Sequence, residues 1–215
     1  MPYRSPGSKI PKTFQYTQEE SDFLTSIKPW KDKWTIKLGS PAKNNQRNAI
    51  KTKIKTDLIG IQGNYCAFCG LNLKLTHQVH REHIAPQYKH PEYIFEPENL
   101  VLSCDYCNLE KGKKLTVTTN TGQYATEIFK ILHPYRDDFD KHLACDFTKK
   151  ELVFKIINAD PAKAEFTIKC VGLDLPHLMT LRAAIIILHS LPSNNFFDSL
   201  YKQIINWRIK ARKTY

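Results

Sequence analysis

The chain has 215 residues, enough for one sizeable domain, with 41% hydrophobic and 11% aromatic residues, a composition that supports a packed core. Lys plus Arg is 32 against 21 Asp plus Glu, a net charge of +11 that favours a polyanionic partner, most simply nucleic acid. No segment approaches the roughly 18 consecutive apolar residues of a membrane span, and the start "MPYRSPGSKIPK" lacks an apolar signal region, so a cytoplasmic protein without membrane association is expected.

The charge is uneven. Residues 1–64 hold 12 basic and 5 acidic side chains, residues 65–115 hold 6 of each, and the last 14 residues hold five basic and none acidic. A neutral centre with basic flanks results. In chain order, residues 1–43 are expected to form a basic N-terminal arm, extended to about Gln18, with a short helix within "EESDFLTSIKPWKDKW" stopped near Pro29. A helix is expected from Asn44 or Asn45, with Ile50, Ile54 and Leu58 inward and Arg47, Lys51 and Lys55 on an exposed basic face.

Residues 44–115 are expected to form one module. "GNYCAFCG" is a Gly-flanked turn presenting Cys66 and Cys69, "HQVHREHI" and "NLVLSC" read as strands, and "APQYKHPEYIFEPE" between them must be a loop. "CDYCNLEKGKK" presents Cys104 and Cys107 and starts a helix that Gly112 ends. Beyond it, residues 116–215 open on a turn-rich stretch, "HPYRDDFDKHLACDF". "ELVFKII" and "AEFTIKCV" are expected to pair as a hairpin, and two helices, "LDLPHLMTLRAAIIILHSL" and "FFDSLYKQIINWRIKAR", close the chain. That region is expected to pack on the module and leave surface for a partner. The fold class is therefore α+β.

Two C-x₂-C pairs, 34 residues apart, are a strong signal for a structural zinc ion, because four thiolates complete its tetrahedral shell. The spacing exceeds the about 15–20 residues of simple zinc ribbons and leaves room for a strand–loop–strand pinned by the ion. Cys145 and Cys170 stand alone and are expected to be small buried apolar residues. His80 shares a strand face with Glu82, but a surface role is expected for it; the other isolated histidines are expected to be structural or exposed.

Paired cysteines around "EHIAP", then "ENL", then "CDYCNLEKG" resemble the HNH endonuclease family with its zinc-supported ββα-metal fold. The wider set "EHIAPQ", "NLVLSCDYCNLEKGKK", "LHPYRDDFDKHL" and "VGLDLPHLMTLR" resembles the PtuB-type HNH proteins of Septu and retron-associated anti-phage systems. This resemblance implies a metal-dependent endonuclease acting on DNA, with an ABC-type (PtuA-like) ATPase as partner. It assigns His83 as general base, Glu82 and Asn108 as ligands of a catalytic Mg²⁺ or Mn²⁺, and Asn99 as the residue that fixes the loop. Glu82 stands where Asp or His is commoner, and Asn108 where many members have His, which makes the site harder and richer in oxygen. Lys111, three residues after Asn108 on the expected helix, is a candidate phosphate clamp or a helix-end charge. The alternatives are a non-catalytic nucleic-acid-binding zinc module, an interaction subunit of an ATPase complex, and an RNA-directed (tRNA) nuclease.

Overall fold

The structure is a computed structural model that describes residues 9–147, 152–157 and 160–190. Residues 9–17 contain no helix or strand, as expected, yet they are no loose arm. Ile10 and Phe14 are buried in the central core, and the Ile10 amide donates to the Pro134 carbonyl at 2.7 Å. Helix α1, Gln18–Ser26, starts at a capping box in which Thr17 and Glu20 satisfy each other's backbone amides. It buries Phe23 and Leu24.

Helix α2 runs from Pro41 to Gln62, three residues longer at its start than the sequence suggests. Ser40 caps it through the Lys43 amide, with Pro41 in the first turn, where a missing N–H is harmless. Asn44 does not cap it; its side chain instead bonds the Leu38 N–H and C=O and pins the preceding loop. Ile50, Ile54 and Leu58 face the core as expected, and Gly63 ends the helix in the left-handed region at φ 66°.

The two strands of the central module are β1, Val79–His83, and β2, Leu100–Cys104, antiparallel with Glu82 opposite Val101 and His83 opposite Leu100. Every residue of β2 is buried. Its second edge is closed by a side chain: Gln62 Oε1 accepts from the Leu102 amide at 2.7 Å while Gln62 Nε2 donates to the Leu102 carbonyl at 3.1 Å. The end of α2 thus serves as a substitute third strand and covers that edge. Helix α3, Asp105–Lys111, follows β2 directly and stops at Gly112, giving strand, loop, strand, helix in the expected order.

The C-terminal part departs from expectation. The hairpin joins β3, Leu143–Phe147, to β4, Leu152–Ile156, so "LACDF", read as turn, is a strand. "AEFTIKCV" lies mostly in helix α4, Pro161–Cys170, capped by Asp160 with Pro161 in its first turn. Its alternating apolar residues mimic a strand, but Ala164, Thr167 and Ile168 are in the buried set, the three- and four-residue spacing of a helix face. Helix α5, Pro176–Ser190, is formed as expected, with Leu178 and Ile185 buried. The expected final helix, starting at Phe196, lies outside the described residues. One hydrophobic cluster runs from Ile10 through β2 to Ile186 and joins all three segments of the chain.

Candidate active site and metal centre

The knuckles bring Cys66, Cys69, Cys104 and Cys107 together with all four sulfurs within 4.8 Å of one another, buried and in no disulfide. Four sulfurs about 2.3 Å from one tetrahedral ion lie about 3.8 Å apart. Cys69 and Cys104 Sγ stand at 3.7 Å. The cluster therefore fits a tetrahedral zinc ion. Local structure makes it so: the Cys66 amide donates to the Leu71 carbonyl, the Gly70 amide to the Cys66 carbonyl, and Gly70 takes φ 71°, closing the first turn. Cys104 ends β2, and Cys107 lies on the first turn of α3.

A second observation supports metal thiolates. Arg182 of α5 is fully buried, yet no carboxylate lies within ion-pair reach of it among the described residues. Its guanidinium donates to the Gly172 carbonyl at 3.0 Å and approaches Cys107 Sγ at 3.7 Å. Burial disfavours its charge, but the Cys69, Cys107 and Cys104 sulfurs outweigh that and raise its pKa. A buried cation requires a counter-charge, and a tetrathiolate zinc centre carries two negative charges. Sequence patterns do not reveal Arg182, which sits in an apolar helix 75 residues from Cys107.

Beside this frame, Glu82, His83, Asn108 and Lys111 line one cleft of about 250 Å³, with Pro86, Gln87, Tyr88, Gly112 and Lys113 completing it. Glu82 and His83 are adjacent in β1, and they share the cleft because His83 is the last strand residue. Asn108 and Lys111 come from α3, one turn apart.

His83 is buried, and its Nε2 lies 3.1 Å from the Ile94 carbonyl. A carbonyl only accepts, so Nε2 carries the proton and Nδ1 keeps a lone pair. Burial is the main force that pushes the His83 pKa down to about 3; Lys111, Lys51 and Arg81 push the same way against the Ile94 hydrogen bond. Trp34 packs edge-on against the imidazole at 4.8 Å and fixes its plane.

Lys111 departs from the role of a clamp reaching outward. It has no exposed surface, and its Nζ donates to Glu82 Oε1 at 2.6 Å and to the His83 carbonyl at 2.7 Å. Burial raises the Glu82 pKa, and Lys111 opposes that rise. Glu82 Oε2 and the Asn108 side chain make no hydrogen bond among the described residues, which leaves two oxygen donors at the cleft of the kind that Mg²⁺ or Mn²⁺ takes.

Asn99 is fully buried under the loop. Its Oδ1 accepts from the Ala85 amide at 2.6 Å, and its Nδ2 donates to the Ala85 and Tyr93 carbonyls. One side chain thus ties the end of β1 to the loop that carries Ile94. His133, expected to be structural or exposed, is buried and bonded to the Tyr124 hydroxyl at 2.9 Å. Cys170 is buried and Cys145 only partly so. Arg47, expected on an exposed stripe, is buried, with its guanidinium donating to the Lys33 and Ile36 carbonyls.

Residues 66–114 match the family model described as HNH endonuclease. These residues carry an HNH endonuclease domain. HNH endonucleases hydrolyse phosphodiester bonds and use divalent metal ions. The chain is also 29% identical to Protein ea31 of Escherichia phage lambda over 139 residues, which are 63% of this chain and 41% of that protein. It therefore spans about two-fifths of the length of that relative. The α+β fold, with its small sheets, helices and four-cysteine cluster, is consistent with a ββα-metal nuclease fold built around a zinc site. No helix among the described residues is long and apolar enough to cross a membrane.

Proposed function

We propose that the chain is a metal-dependent HNH endonuclease that cuts DNA. The observation that carries the reading is one cleft that holds an imidazole with a free Nδ1, a carboxylate with one oxygen unengaged, and the Asn108 amide. Glu82 Oε2 and Asn108 would hold the divalent cation, which when bound offsets charge on the scissile phosphate and its leaving oxygen. His83 Nδ1 accepts the proton of the attacking water as its oxygen bonds phosphorus and the bond to the 3′ oxygen breaks. The products are a 5′-phosphate and a 3′-hydroxyl. A phosphate anion beside His83 raises the imidazole pKa from its low resting value, so the base gains strength when substrate is present. Asn99 keeps the loop and its Ile94 carbonyl in place, and Lys111 fixes Glu82 Oε1 so that Oε2 faces the ligand.

The burial of His83 and the engagement of Glu82 by Lys111 favour a related reading, in which the isolated chain is a weak nuclease that a partner opens. The resemblance to PtuB-type proteins makes that partner an ABC-type ATPase and the setting cytoplasmic anti-phage defence. Incubation of the zinc-loaded chain with labelled duplex DNA, single-stranded DNA and tRNA, with Mg²⁺, Mn²⁺ or EDTA, tests the reading. Divalent-dependent cutting of DNA supports it, tRNA cutting alone reassigns the substrate, and binding without cutting by the chain and its ATPase complex leaves a non-catalytic zinc module.

A further inference from the structure

The side of His83 covered by Trp34 carries positive charge that no carboxylate among the described residues balances. Lys51 Nζ lies 4.7 Å from the Trp34 ring centroid and the Arg81 guanidinium carbon 5.7 Å from it, while the same ring meets His83 at 4.8 Å. Arg47, one turn before Lys51 on α2, is buried behind them. None of the three has a carboxylate within 4.0 Å among the described residues; their contacts are to backbone carbonyls and to Asn48. Like charges one helical turn apart are unfavourable unless an opposite charge joins them. The other side of the same helix shows the ordinary arrangement: Lys53 pairs with Asp57 at 2.6 Å and with Glu20 at 3.7 Å.

Donors also remain. Lys51 Nζ uses one of its three protons on the Trp34 carbonyl, and Arg81 uses one terminal nitrogen on the Lys51 carbonyl at 2.7 Å. Both side chains are half-buried, so they keep a solvent-facing part. Arg81 and His83 stand two residues apart on one face of β1, about 6.6 Å along the strand. That distance is comparable with the spacing of successive backbone phosphates in a nucleic acid.

We propose that Arg81 and Lys51 form a second phosphate site, which holds a backbone phosphate of the nucleic-acid substrate next to the one cut beside His83. Arg47 adds buried charge behind it, and Trp34 is the platform shared by the cations and the base. The inference rests on the endonuclease reading but concerns binding, so the two fail differently. The lowering of the Lys51 pKa by burial and by Arg81 and Arg47 agrees with a cation cluster that an anion would relieve.

The test is fluorescence anisotropy of a labelled DNA duplex with the zinc-loaded His83→Ala chain, which should bind without cutting, from about 50 to 200 mM salt. Arg81→Gln and Lys51→Gln in that background should each weaken binding several-fold at low salt and lower the slope of log K against log salt by about 0.9, one phosphate contact. Arg81→Lys and Lys51→Arg should restore the slope, which a purely structural role for these side chains does not predict, and Lys53→Gln should leave it unchanged. If a glutamine variant does not fold, as judged by zinc content and melting, the charge-reversed but half-exposed Lys51→Glu supplies the same slope measurement. Unchanged slopes in a parent that binds DNA overturn the second phosphate site and leave the endonuclease reading standing. A parent that binds no nucleic acid removes both.

Discussion

Lys111 Nζ lies 2.6 Å from Glu82 Oε1, and the lysine has no exposed surface. A buried ion pair adds little net stability, but removing one partner strands the other charge in a dry site, at about 3–5 kcal/mol. Lys111→Met should therefore destabilise the fold by an amount in that range, and Glu82, left without the charge that opposes the rise of its pKa, should hold a divalent ion more poorly. Lys111→Met combined with Glu82→Gln should regain much of the stability, because no charge is left unpaired. Denaturant unfolding of the two single variants and the double variant checks this; additive losses would contradict the pairing.

Arg182 reaches the cysteine cluster from α5, and its only available counter-charge among the described residues is on the sulfurs. Arg182→Leu should lower zinc affinity by about 10–100-fold, the usual effect of removing a group that supports a metal's ligands. Arg182→Lys should fall between, since it keeps the charge but loses the fork that also bonds Gly172. Competition with a chromophoric chelator measures it, and equal zinc retention in all three proteins would refute it.

Two buried histidines set a pH dependence of stability. Burial depresses His83 to about 3 and His133 to about 2, below the roughly 6.5 of an unfolded chain. Between those values the unfolded state binds more protons than the folded state, so stability falls as pH falls. Stability should be full above about pH 6.5 and decline steadily through about pH 5 and 4. Denaturant midpoints across this range provide the check, and a flat profile would mean that the histidines are charged or exposed in the folded protein.

The parts legible in the sequence are those fixed over short range. Each knuckle is a C-x₂-C turn, β1 and β2 alternate or run apolar between clear breakers, and Gly112 stops α3 at the expected place. The β3–β4 pairing is hidden because the apolar–polar alternation of "AEFTIKCV" outweighs the Asp160–Pro161 helix start just before it. The start of α2 is hidden because Asn44, a good cap by type, bonds the Leu38 backbone and leaves the cap to Ser40. What the site residues touch is not legible at all. The Trp34–His83 ring contact, the Lys111–Glu82 pair and the Arg182–Cys107 contact each join segments distant in the chain, and no local pattern encodes them.

In the proposed mechanism His83 is the base of a divalent-dependent nuclease. The most direct measurement is single-turnover cleavage of labelled DNA by the wild-type chain and by His83→Ala, with the candidate ATPase present and with zinc content and DNA affinity matched. Loss of a general base lowers the rate by a factor of about 10²–10⁴, so the variant should bind DNA and keep its zinc while cutting at least about a hundredfold more slowly. Cutting by His83→Ala at the wild-type rate would contradict the account.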